Sequence, residues 1–77
     1  MSVDHDAQTP LWLQLAGILR ERIRTGELPP GRVIPSETTL MQEHGLARGT
    51  VRKAIDALAE EGLVSRVQGR GTFVTEQ

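Results

Sequence analysis

Between Leu40 and Leu58 the sequence carries two apolar helical patterns separated by only three residues, Gly45 to Ala47. Leu40 and Met41 precede the glycine. Val51, Ala54, Ile55 and Leu58 follow it at i, i+3, i+4 and i+7, the spacing of one face of an α-helix. Gly45 is placed to end the first helix in a left-handed conformation, and so short a connection has the dimensions of a helix-turn-helix. Pro35-Ser36-Glu37 marks the start of the first helix of the pair. Ser36 can accept from an unpaired amide, and Glu37 suits the positive end of the macrodipole.

The segments on either side complete a small α+β unit. Leu11, Leu15, Ile18, Leu19 and Ile23 predict an amphipathic helix over 11–24, with Thr9 as its cap, Pro10 at its first position and Trp12 beside its stripe. Gly26 and Leu28-Pro29-Pro30-Gly31 end it and lead into a surface connector. After Gly62 the period changes. Leu63–Val67 and Thr72–Thr75 are β-branched or aromatic runs separated by Gln68-Gly69-Arg70-Gly71, which predicts a β-hairpin. A lone hairpin is marginal in water, so Leu63, Val67 and Phe73 are expected to lie on the helices. The expected fold is a three-helix winged helix-turn-helix with a C-terminal β-hairpin wing over residues 9–75. Residues 1–8 are expected to form a disordered, dispensable arm and 76–77 a tail.

At 77 residues the chain makes one domain that buries roughly 60–65% of its unfolded surface, too little for a deep substrate cavity and its supporting shell. Cysteine is absent, which removes disulfides and zinc-thiolate sites and fits a reducing cytoplasm. No apolar run of membrane-spanning length and no basic, greasy leader occurs, so neither membrane nor export is expected. The net charge of -1 argues against nucleic acid until the distribution is considered. Residues 48–53 and 62–75 contain Arg48, Arg52, Lys53, Arg66 and Arg70 and no acid, while the remainder sums to -6. A polyanion responds to that local field.

An inward-facing stripe on the third helix leaves Arg48, Gly49, Arg52, Lys53 and Asp56 outside or at its margins. The start of such a helix enters the major groove, where an arginine can bind guanine O6 and N7 with two hydrogen bonds. Gly49 removes a side chain at the closest approach, and the Thr50 hydroxyl can bond a phosphate. The reading requires Arg48 and Arg52 to be free of intramolecular locks and to face the wing side; the competing one pairs Arg52 with Asp56 as an ordinary surface couple. At the hairpin tip, Arg70 between glycines suits a narrow minor groove but equally an ordinary solvated turn. Gly69-x-Gly71 lacks the third glycine and the following helix of a dinucleotide loop. His5 and His44 read as solvated side chains or polar caps, and no catalytic, metal or cofactor constellation is apparent.

Taken in order, Gly26-Glu-Leu-Pro-Pro-Gly31, Ile34-Pro-Ser-Glu37, Leu46-Ala-Arg-Gly-Thr-Val-Arg52, Leu58-Ala-Glu-Glu-Gly-Leu-Val64 and Gln68-Gly-Arg-Gly-Thr-Phe-Val74 strongly resemble the DNA-binding domain of the GntR family of bacterial transcription regulators. Pro10-Leu11-Trp12 and the wing are more similar to the HutC or YtrA branches than to the FadR branch. The resemblance implies a repressor domain that binds a palindromic operator in double-stranded DNA as a homodimer. It places base-reading arginines on Arg48 and Arg52, phosphate contacts on Ser36 and Thr50, and the minor-groove wing on Gly69 with Gln68 and Arg70. The chain departs from the family at Thr38, where arginine is frequent and a phosphate contact is weakened; at Ala47, where a capping serine or threonine is usual; and at Gly49, where threonine or serine is common. It also implies a larger effector-binding, dimerising domain, so a chain stopping just past the wing is expected to be an isolated domain or truncated product, monomeric and weakly binding alone. The alternatives are a winged helix that docks proteins, and a fragment of a regulator fused to an aminotransferase-like domain.

Overall fold

A computed structural model describes residues 3–76. The elements are α1 (Leu11–Thr25), α2 (Glu37–His44), α3 (Arg48–Glu60), β1 (Val64–Val67) and β2 (Gly71–Val74). Three helices and an antiparallel hairpin are the architecture expected from the sequence. Met1, Ser2 and the tail residue Gln77 lie outside the described residues.

The two helical stripes meet as their spacing requires. Leu15 and Leu19 of α1, Leu40 of α2, and Val51, Ile55 and Leu58 of α3 are fully buried and form one core with Ile34, Leu46, Val64 and Val74. Gly45 ends α2 at φ 65° and ψ 46°, a left-handed conformation that strains any residue with a side chain, and α3 begins three residues later. Ser36 caps α2, its Oγ accepting from the Thr39 amide at 3.1 Å. Thr9 does not cap α1. Pro10 occupies the cap position without a side-chain bond, and the Thr9 carbonyl accepts instead from Gln14 Nε2 at 2.8 Å.

The hairpin pairs Val64 with Val74 and Arg66 with Thr72. Alternation then puts Val64 and Arg66 on the face turned to the helices, and leaves Val67, expected to be inward, 41% exposed. Successive residues of a strand face opposite sides, so with Val64 turned to the core Arg66 lies on its side and Val67 on the other. The connector also contributes to the wing. Val33 bridges Phe73, the Ile34 amide donates to the Thr72 carbonyl at 2.8 Å, and the Val74 amide donates to the Arg32 carbonyl at 2.9 Å. Residues 31–34 thus cover the outer edge of β2.

The N-terminal segment is packed where an unstructured arm was expected. Val3 is buried in the core cluster, and Gln14 exchanges two bonds with the Asp4 backbone at 2.6 and 3.0 Å. The His5 ring lies 3.0 Å from the His44 carbonyl through Nε2. One valine and a few bonds from side chain to backbone leave no periodic trace in a sequence. His44 differs too. Its side chain is 1% exposed, and neither ring nitrogen has a hydrogen-bond partner among the described residues, the closest acid being Glu43 at 3.4 Å.

Candidate nucleic-acid interface

The helix-turn-helix presents the first turn of α3 to solvent. Ala47 takes the cap position at φ -72° and ψ 154° with no side-chain bond, and the first turn holds no acid. The leading amides and the positive end of the α3 dipole are therefore open to an anion. Arg48 and Gly49 are exposed there, with Thr50 half-buried. A Cβ added at Gly49 would meet nothing within 4 Å, so the fold does not require this glycine and its bareness only clears the outer surface.

Arg48 and Arg52 stand on adjacent turns, and both reach one carboxylate. Glu37 Oε1 lies 3.3 Å from Arg48 Nη1, and Glu37 Oε2 lies 3.5 Å from Arg52 Nε. The expectation of arginines without intramolecular partners is corrected to this extent. The tether is loose: the arginine side chains remain 57% and 63% exposed, and each guanidinium uses a single nitrogen. By contrast Arg20 grips Glu61 with two bonds of 2.9 and 2.6 Å. Exposed pairs of the first kind are worth about 0.2–1 kcal/mol, so Glu37 restrains the two arginines only weakly. The alternative Arg52–Asp56 couple is not formed, because Arg66 takes Asp56.

The wing faces the same side. An open groove of 680 Å³ runs between α2, α3 and the hairpin, lined by Thr38, Arg52, Arg66 and Gln68 to Thr72, with Val33 and Val67 as apolar walls. Arg52 and the wing tip thus share one concave surface. The tip is a tight turn closed by the Arg70 amide on the Val67 carbonyl at 2.9 Å, with Gly69 at φ 78° and Gly71 at φ 119°. At Gly71 an added Cβ would come within 3.0 Å of Val33. Gln68, Gly69 and Arg70 are exposed.

Two of the residues singled out from the sequence are otherwise engaged. The Lys53 ammonium sits 4.8 Å from the centre of the Trp12 ring, a cation-π contact that turns it toward α1. Ser36 Oγ bonds Thr39 Oγ1 at 2.9 Å besides serving as the cap. Sequence reading missed Glu37 as the acid between the arginines, since Pro-Ser-Glu gave it only a helix-start role. It also missed Arg66 as an inward-facing residue. Charge counted along the chain could reveal neither, because Glu37 and Asp56 fall outside the acid-free segments but inside the folded cationic surface.

Residues 11–74 match the model of the family described as bacterial regulatory proteins, gntR family. The chain belongs to the GntR family. It is 44% identical over 68 residues to the mannosyl-D-glycerate transport/metabolism system repressor MngR of Escherichia coli (strain K12), covering 88% of this chain and 28% of that protein. It is 38% identical over 76 residues to the HTH-type transcriptional repressor NagR of Bacillus subtilis (strain 168), covering 99% of this chain and 31% of that one. The chain thus spans about 30% of the length of these GntR relatives. Among solved structures, the AraR(DBD) in complex with operator ORX1 superposes with a TM-score of 0.90 at 35% identity, covering 97% of this chain and 95% of that one. Among the described residues, no helix is long and apolar enough to cross a membrane.

Proposed function

We propose that this chain is the sequence-specific DNA-binding domain of a bacterial transcription regulator, a repressor, with α3 in the major groove and the wing tip in the minor groove. The observation that carries the reading is the common orientation of Arg52 and the Gln68–Arg70 tip on one groove, in a fold that superposes on a DNA-binding domain bound to its operator. Arg48 and Arg52 leave Glu37 to read guanine edges, the α3 amides and Thr50 hold phosphates, and Arg70 enters the minor groove between two glycines. Thr38 and Ser36 border the phosphate path, and Lys53 adds long-range attraction from its place on Trp12.

The chain works without catalysis or cofactor, in the cytoplasm. Residues 9–75 are the folded DNA-binding unit and 3–8 a strap upon it. The palindromic operator is bound by two copies, joined in the complete regulator by an effector-binding region of the kind the family carries. The HutC or YtrA branch is the assignment favoured by Pro10-Leu11-Trp12 and the wing sequence.

The test is selection of duplexes from a random pool with two domains tethered, followed by a salt titration on the selected duplex. A palindromic consensus is expected, with log K falling against log salt at about -0.9 per phosphate neutralised. A pool without consensus and a flat salt response would replace DNA by a protein partner.

A further inference from the structure

Arg66 lies outside the groups assigned above to base or phosphate contact, and its geometry is specific. From β1 it sends Nη1 to Asp56 Oδ1 and Nη2 to the Arg52 carbonyl, the latter at 3.4 Å. The Arg52 carbonyl points along the helix axis toward residue 56, so the two acceptors lie side by side on α3 and one planar guanidinium meets both. Two bonds from one planar group to two acceptors orient it as well as hold it. Among the described residues these are the only side-chain hydrogen bonds between β1 and α3.

The rest of the wing has little else on that side. Val64 is buried at its base, but Ser65 to Gly71 are exposed. On the opposite side the hairpin is held by the bridge from Val33 to Phe73. Arg66 therefore completes a two-sided mount. Its second effect is on Asp56, the acid one turn beyond Arg52, which would otherwise be the natural i, i+4 partner of that arginine. By occupying Asp56, Arg66 leaves Arg52 to Glu37 and the groove, and covers a negative charge beside the surface offered to a polyanion.

We infer that Arg66, paired with Asp56, is a positioning residue that holds the wing tip at a fixed angle to the recognition helix, so that major-groove and minor-groove contacts are made together. The inference rests on the DNA-binding reading for its consequence, though the mount itself exists without DNA. A direct phosphate contact by Arg66 is the rival, and the two differ in the sign of an effect. If Arg66 bound phosphate, Asp56→Asn would remove a repulsive acid and tighten binding. If the pair is a mount, Asp56→Asn and Arg66→Gln must both loosen the wing and lower discrimination.

The experiment compares Arg66→Gln, Asp56→Asn and the double variant of this chain, after circular dichroism has established that each is folded. Backbone ¹⁵N relaxation in the free protein should show order parameters at Gln68–Gly71 falling from about 0.8 toward 0.6 in all three, with α3 unchanged. The ratio of affinities for the selected duplex over a random duplex of equal length should fall about 1.4-fold to fivefold in each single variant, the range of an exposed pair, and no further in the double. An unchanged wing, tighter binding by Asp56→Asn, or additive losses in the double variant would each overturn the inference. Failure of the unaltered chain to bind any duplex would sink the DNA-binding reading, while the relaxation data would still decide whether Arg66 holds the wing.

Discussion

Replacing Arg52 by alanine separates base reading from folding, because the structure gives the two contributions different sizes. The side chain is 63% exposed, and its one acidic contact is the 3.5 Å approach to Glu37. Such a contact contributes about 0.2–1 kcal/mol, and α3 gains slightly in helix propensity from alanine. Folding stability is thus expected to change by less than about 1 kcal/mol, a few degrees in melting temperature for a domain of this size. The lost contact to guanine is larger. A bidentate pair discriminates by about 1–3 kcal/mol, which is roughly 5- to 160-fold. Fluorescence anisotropy at fixed salt should show the selected duplex losing affinity by that factor and the random duplex by much less. Arg70→Ala is the control. It should weaken both duplexes in near-equal proportion and lower the salt slope by about one contact. A preserved ratio of selected to random affinity in Arg52→Ala would refute the placement of this side chain at base edges.

Three further outcomes follow from the same geometry. Glu37→Gln removes the carboxylate shared by Arg48 and Arg52, and is expected to raise affinity for random duplex about twofold to fivefold while lowering discrimination, measured by the same anisotropy assay. Ala47→Ser supplies the missing α3 cap and should stabilise the fold by about 1 kcal/mol, seen as a rise of about 4–8 °C in the thermal midpoint; no rise would show that the first-turn amides are already satisfied. The Glu61 carboxyl is held below its usual 4.5 by the hydrogen bonds and charge of Arg20, and that of Glu21 likewise by Arg24. Depressed carboxyl groups stabilise the fold above their unfolded value and lose that contribution as pH falls through the folded one. The melting temperature should therefore drop between about pH 5 and pH 3, and Glu61→Gln should flatten part of that drop.

The helices were legible because each buries a stripe whose period survives in the sequence: Leu15, Ile18 and Leu19 in α1, and Val51, Ala54, Ile55 and Leu58 in α3. Gly45 was equally plain, since a left-handed residue between two stripes admits few others. The hairpin was visible but not its facing. Val64 and Val67 are alike in type, and three residues apart on a strand they point to opposite sides, so composition could not say which valine turns inward. That ambiguity concealed Arg66. The arginines of α3 were found by their spacing, yet the acid that holds them, Glu37, comes from α2, where a count along the chain does not look. Val3 and His44 show the same limit. Val3 is buried through a segment with no period, and His44 is buried at the end of α2, where a polar residue type suggests a solvated side chain.

The central claim is that α3 and the wing tip meet one duplex at the same time, and amide chemical-shift mapping tests it most directly. On titration with the selected duplex, the largest changes are expected at Arg48–Lys53 and Gln68–Gly71 together, saturating with a single affinity. Changes concentrated on the outer surface of α1 around Leu13, Arg20 and Arg24, with the wing tip unmoved, would contradict it.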